Sequence, residues 1–216
     1  MKPQDVLKPT QRQYKSSYVD QFLSLRCASD VLESLGGGLN KAEKEISESM
    51  ALITNIRGLA LKEPMKYILV DLCAGNCLTG LLAVHLLPVK KVLAVDVRPE
   101  PSFVKRAKRF EYLRADLRKV HPGLDANERY ILVSSHPCKD LAERIVDFYL
   151  DFWSKGLTIA LAILPCCKGK TGRFPGRGLW EQRFGGYETW CAYLAYKANG
   201  DFYLDKKCLS PCRGVV

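Results

Sequence analysis

Two spacings of apolar residues divide the chain. Over residues 1–62 they recur at helical intervals. Tyr14, Tyr18, Phe22 and Leu25 share one helical face, and Leu32 and Leu35 extend it. Gly36-Gly37-Gly38 then ends the run, because glycine readily takes the left-handed conformation that closes a helix. Asn40, with Glu43 three residues later, has the form of a capping box. It opens a second predicted helix whose apolar face is Ile46, Met50, Ile53 and Ile56. Residues 1–62 are therefore expected to be an N-terminal helical extension, either packed along an edge of the main domain or helping to hold a substrate.

From Lys66 the pattern changes to short continuous apolar runs separated by amphipathic stretches. Continuous runs are what strands buried on both faces require. Tyr67–Val70, Lys91–Val95, Phe110–Leu113, Tyr130–Val133 and Leu157–Leu164 are predicted strands one to five. Leu78, Leu81, Leu82 and Leu86 mark the first intervening helix. Pro101 suits the first turn of a second one carrying Phe103 and Ala107. Leu141, Ile145, Phe148 and Phe152 line a third, with Asp140 and Glu143 as its expected capping box. A further helix is expected over Gly186–Ala198, a sixth strand at Phe202–Leu204, and the start of a seventh at Arg213–Val216.

Strands alternating with helices imply an α/β domain over residues 63–216, a Rossmann-like doubly wound sheet with right-handed connections. On such sheets ligands bind beyond the carboxyl ends of the strands, at the topological switch point. Asp71–Cys77, Asp96, Asp116, His136–Cys138 and Pro165–Lys170 all follow strands and should converge there.

Composition adds three constraints. No apolar run reaches the roughly 18 residues of a membrane span, and the first residues are polar, so a cytoplasmic protein without a membrane association is expected. Lys and Arg total 33 against 23 Asp and Glu, a net charge of +10. That surplus favours a polyanionic partner, RNA or DNA, since each neutralised phosphate releases counterions. The 9 cysteines are an odd number with no secretory signal ahead of them. A disulfide framework is not expected, which leaves buried thiols, a metal site or a reactive thiol.

The chemistry begins with Asp71-Leu-Cys-Ala-Gly75-Asn-Cys77 between the first strand and its helix. A strand, a tight turn and a helix N-terminus bring backbone N–H groups to a ligand. Asp96, about twenty residues on, can accept both hydroxyls of a ribose. Asp116 is placed to meet an adenine edge. A dinucleotide Gly-x-Gly-x-x-Gly spacing is missing, and the earlier glycine that a P-loop ending at Gly169-Lys170-Thr171 needs would fall on Leu164.

These segments resemble the class I S-adenosylmethionine (SAM) dependent methyltransferase superfamily over roughly residues 65–170. Asp71–Gly75 is similar to its first motif, Asp96 to its ribose acid and Ala115-Asp116-Leu117 to its adenine motif. The resemblance implies SAM as cofactor and a seven-stranded sheet. It places the cofactor against Asp71, Cys73, Ala74, Gly75, Asp96, Val97, Asp116 and Leu117. Cys73 and Cys77 stand where the family has glycines, and a Cβ at Cys77 is expected to crowd a left-handed position.

Ser134-Ser-His-Pro-Cys-Lys-Asp140-Leu and Leu164-Pro-Cys-Cys-Lys-Gly-Lys170 resemble one branch, the tRNA ribose 2′-O-methyltransferases and related methyltransferase-like proteins. His136, Cys138, Asp140, Leu141, Cys166 and Cys167 match that branch. Lys139 stands at its usual glycine, and Lys168-Gly169 at its two histidines. Methyl transfer to a hydroxyl needs an aligned nucleophile and a group to take its proton. His136 is the candidate base, with Cys138 and Cys166 shaping the site. Lys168, Lys170, Arg173 and Arg177, with glycines and Phe174 among them, are expected to contact phosphate and a base. The resulting expectation is an RNA methyltransferase acting on structured RNA such as tRNA. A methyltransferase of a small molecule or protein, or a non-catalytic binding protein with a cysteine metal site of unassigned ligands, are the alternatives.

Overall fold

The computed structural model describes residues 17–36, 41–119, 122–172, 174–209 and 214–215. Tyr14, Gly37, Gly38, Asn40, Arg173, Cys212, Arg213 and Val216 lie outside them. The proposed Asn40 cap and the Arg173 contact therefore lie outside the described residues.

Five strands form one parallel sheet: β1 (Tyr67–Leu72), β2 (Lys91–Asp96), β3 (Phe110–Arg114), β4 (Arg129–Ser135) and β5 (Thr158–Leu164), in the order β3-β2-β1-β4-β5. The order reverses between β1 and β4, so the loops that follow these two strands part and leave a crevice. Alternate residues face opposite layers, as the pleat demands. Leu69, Ile131 and Val133 pack into one core; Ile68, Val70, Leu72, Tyr130 and Leu132 pack into the other.

The first core is covered by α1 (Tyr18–Leu23), α2 (Ala28–Ser34), α3 (Ala42–Lys62) and α4 (Leu78–Leu86). The N-terminal helices thus share one core with the sheet. Phe22 and Val31 are fully buried there, whereas Leu32 is exposed; each such fully buried side chain contributes roughly 1.5–3 kcal/mol. The second core is covered by α5 (Asp140–Ser154) and α7 (Gly186–Ala198), with Ile145, Phe148 and Trp190 buried between helix and sheet.

Four expectations change. Residues 97–109 form only a single 3₁₀ turn, Ser102–Lys105, in place of a helix. A helix long enough to run back along a six-residue strand needs about ten residues plus two turns, and the segment is too short. Residues 177–184 form a helix, α6 (Arg177–Phe184), where a loop was expected. Asp140 does not cap α5: Lys139 holds the cap position, without a side-chain capping bond, and Asp140 lies 3.5 Å from Arg118. Glu143 accepts instead from the Tyr193 hydroxyl at 2.5 Å.

The fourth concerns the expected seven-stranded sheet. Among the described residues β6 (Tyr203–Leu204) and β7 (Gly214–Val215) pair antiparallel with each other, apart from the five-stranded sheet. β7 lies tight on α7: a Cβ at Gly214 would come within 2.6 Å of the Cys191 sulfur. No helix of the described residues is long and apolar enough to cross a membrane.

Candidate functional site

The crevice at the switch point has a volume of about 350 Å³. Cys73, Ala74, Gly75 and Asn76 from the loop after β1 form one wall, with Asp96 and Arg98 after β2. Ser135 and His136 after β4 form another, and Lys41, Lys44, Glu45 and Ser49 of the α3 end close it. A second pocket of about 170 Å³ lies beside it, lined by Val97, Ala115, Asp116, Leu117, Arg118 and Leu141. Cys73, Asp96 and Arg98 line both, so Asp96 stands where the two meet.

The loop after β1 is held by short backbone and side-chain bonds. The Gly75 amide donates to Asp96 Oδ2 at 2.8 Å, and the Arg98 amide donates to Oδ1 at 3.0 Å. Each carboxylate oxygen keeps a lone pair for a further donor. The Arg98 guanidinium lies 3.8 Å from Asp96 and beside Gly75, where a Cβ would be 3.8 Å from it. Gly75 has φ 59°, a value glycine takes without cost.

Cys73 and Cys77 flank it with φ of 58° and 65°, and Lys139 has φ 49° with ψ −116°. All three residues that stand in place of the resembling family's glycines are thus at positive φ, a conformation that costs a residue with a Cβ roughly 1–3 kcal/mol. Cys77 keeps its left-handed geometry by being fully buried at the start of α4.

Two predicted cofactor residues sit differently from the rest. Asp71 lies under the crevice and does not line it. It is 1% exposed, and its Oδ2 accepts from the Gly80 amide at 2.9 Å. Burial raises its pKa to about 7, with Asp96 adding to the rise and the Gly80 bond opposing it. Leu117 is buried in the second core and also lines the adjoining pocket. Ala74, Val97 and Asp116 line the pockets. Burial and the nearby Asp96 and Asp71 push the Cys73 thiol up to about 12, so it stays protonated.

His136, at φ 63°, lines the crevice beside a residue the sequence did not single out. Its Nε2 is 2.5 Å from Oε2 of Glu48, whose side chain is fully buried in α3; Lys44 Nζ is 3.7 Å from Oε1. Neither Glu48 oxygen has a well-directed hydrogen bond among the described residues. A buried carboxyl group depends on close polar partners of this kind. Glu48 falls within Ser47-Glu48-Ser49, all buried on a helix whose other buried residues are apolar, a sign that sequence alone shows only once the buried face is known. Helix α3 is tied to the crevice by Asn76 donating to Glu45 at 2.6 Å and by a Ser49–Thr79 hydroxyl pair at 2.9 Å.

Cys138 and Cys166 meet at the ends of β4 and β5, their sulfurs 2.7 Å apart, and Cys167 lies 3.7 Å from Cys166. Burial and the two neighbouring thiols push the Cys166 thiol well above its ordinary range.

The basic segment after β5 does not line the crevice among the described residues; Lys41, Lys44 and Arg98 are the cations there. Arg177 begins α6 and pairs with Glu181 at 3.2 Å. Lys168 lies over Gly186, and Lys170 is exposed. The glycines here serve close packing: a Cβ at Gly169 would come within 2.6 Å of Trp190, and one at Gly172 within 2.7 Å of the Tyr193 hydroxyl. Phe174 packs among Trp180, Tyr193 and Tyr196. Neither flexible glycines nor a free stacking ring describes this segment.

No family model matches the chain, and no curated protein matches it. Solved structures resemble it at low sequence identity. A SAM-dependent methyltransferase from Aquifex aeolicus is 17% identical, covering 80% of this chain and 91% of its own, with a TM-score of 0.48. The 23S rRNA methyltransferase ErmE is 14% identical, covering 76% and 64%, with a TM-score of 0.43. The ribosomal protein L11 methylase of Lactobacillus delbrueckii subsp. bulgaricus is 15% identical, covering 78% and 76%, with a TM-score of 0.40. At such identities and scores, what this chain does has to be read from its own site.

Proposed function

We propose that the chain is a SAM-dependent methyltransferase that acts on RNA. The observation that carries this is the position of Asp96 at the junction of two adjoining pockets. A nucleoside with an amino-acid arm has its ribose between its base and its arm, and the carboxylate that would hold the ribose lies between the two spaces. The smaller pocket, lined by Val97, Asp116 and Leu117, suits an adenine. The larger one, with the Gly75 backbone and Arg98, suits the methionine arm and its carboxylate. Bound SAM supplies a methyl carbon made electrophilic by the sulfonium.

The protein's own part is orientation and proton removal. Glu48 would hold His136 by Nε2, leaving Nδ1 to take the proton of a substrate hydroxyl. The imidazolium so formed would be stabilised by the buried carboxylate, as a buried acid stabilises the histidine in other acid–base pairs. Lys41, Lys44 and Arg98 at the mouth, with a net charge of +10, would attract the phosphates of RNA. A tRNA-like substrate is the finer reading, resting on the His-x-Cys and Cys-Cys segments.

Calorimetric titration of SAM into the wild type and into Asp96→Asn and Asp96→Ala tests the cofactor reading. Losing a hydrogen bond to a charged group costs about 1.5–3 kcal/mol, so affinity should fall about 10- to 100-fold in Asp96→Ala, less in Asp96→Asn. Equal affinity in all three would refute the placement. SAM turnover stimulated by RNA, and absent with small-molecule acceptors, tests the substrate.

A further inference from the structure

The cluster at the ends of β4 and β5 lies outside the cofactor pockets, and the chemistry proposed above does not use its sulfurs. Cys138, Cys166 and Cys167 place their three Sγ atoms within 4.8 Å of one another. Cys138 is exposed and Cys166 and Cys167 are half-buried, so the cluster can be reached from solvent. No hydrophobic core explains three thiols collected there; Cys138, Cys166 and Cys167 belong to neither of the two buried clusters. Soft thiolates in this number and spacing are the donor set of a thiophilic d¹⁰ cation.

We propose that Cys138, Cys166 and Cys167 bind a zinc-type divalent cation that pins the segment carrying His136. Zinc–sulfur bonds of about 2.3 Å at tetrahedral angles set neighbouring sulfurs roughly 3.8 Å apart. Cys166 and Cys167 are already at 3.7 Å. Cys138 and Cys166 are at 2.7 Å and must part by roughly 1 Å. Rotation of the exposed Cys138 side chain provides that movement without displacing a strand. Each ligating thiol loses its proton to solvent, and the cation remains divalent, so no oxidant or reductant is involved. A fourth donor completes the tetrahedron.

The consequence for the neighbouring site is positional. The His136 carbonyl lies 3.6 Å from the Cys138 sulfur and 3.8 Å from the Cys166 sulfur. His136 and Lys139 both hold positive φ in this segment, conformations that relax unless something fixes them. A cation bridging β4 and β5 closes the loop on which both residues sit. Cys73 and Cys77, on the adjacent loop, are not in the group.

The test uses full-length protein purified anaerobically under reductant, with metal content by mass spectrometry and cobalt(II) titration. One zinc per chain, or intense sulfur-to-cobalt charge-transfer absorption with tetrahedral d–d bands, is expected. Cys138→Ser, Cys166→Ser and Cys167→Ser should each lower affinity by more than the roughly 10- to 100-fold that an outer-shell change costs. Cys27→Ser, on the distant α1–α2 turn, should not. Circular dichroism shows which variants fold, and the cobalt spectrum of the wild type stands without them. The proposal is overturned by wild type that takes up neither metal, by metal that survives loss of all three thiols, or by a Cys138–Cys166 disulfide present throughout the reduced preparation. None of these readouts depends on SAM, so failure here leaves the methyltransferase reading standing.

Discussion

Replacing Asp71 by asparagine separates a buried structural acid from a cofactor ligand. Asp71 is 1% exposed, with one oxygen on the Gly80 amide and the other without a hydrogen bond among the described residues. Its pKa rises from 3.8 to about 7 on folding. A raised carboxyl pKa means that the folded state binds the proton more tightly than the unfolded state. The stability this contributes is complete below about pH 4 and is lost as pH rises through about 7. The full loss is about 4 kcal/mol, at 1.36 kcal/mol for each pH unit between the two pKa values. Some of it has gone by pH 5, leaving about 2–3 kcal/mol to disappear between pH 5 and 8. Asparagine is nearly isosteric, accepts from Gly80 in the same way and does not titrate. Urea unfolding of the two proteins across pH 5–8 gives the difference directly and cancels every other titrating group. The variant should gain about 2–3 kcal/mol on the wild type over that range, a shift of roughly 5–10 °C in relative Tm for a chain of this size. Parallel stability curves would refute the burial argument. SAM affinity should change little, because Asp71 does not line the crevice; a large loss would return it to the cofactor site.

Three further outcomes are expected. Lys139→Gly should raise stability by about 1–2 kcal/mol by relieving its φ of 49°; a lower Tm would show that the lysine makes a compensating contact. Gly169→Ala places a Cβ 2.6 Å from Trp190 and should cost about 1–3 kcal/mol as overpacking while sparing SAM affinity, checked by thermal melting and calorimetry. Glu48→Gln should slow RNA-dependent turnover by about 10²-fold or more, as loss of the group that orients a general base does, with SAM binding kept; unchanged turnover would remove His136 and Glu48 from proton transfer.

Much of the site was legible in the sequence because its logic is local. A short apolar strand followed by Asp71–Cys77 and a helix places Gly75 at the crevice whatever the rest of the fold does. Asp96 and Asp116 follow from the same rule, since the end of each parallel strand faces one crevice. Glu48 was not legible. Its neighbours in sequence are serines on a helix that reads as an extension, and it meets His136, 88 positions away, only because α3 lies across the ends of β4 and β5. The packing of the segment after β5 was hidden for a related reason. Its composition suits a flexible phosphate loop, but Gly169 and Gly172 are small because Trp190 and Tyr193 occupy the space a side chain would need.

The sequence by itself determined the periods of burial, and with them the five parallel strands, the main helices and the crevice loops, because alternation and helical spacing are properties of neighbouring residues. Only the tertiary structure decided which charges face each other, which acid is buried beneath the crevice and which lies between its pockets, and which three of the cysteines meet. Those outcomes depend on distances across the sheet, and a linear chain does not carry such distances until it is packed.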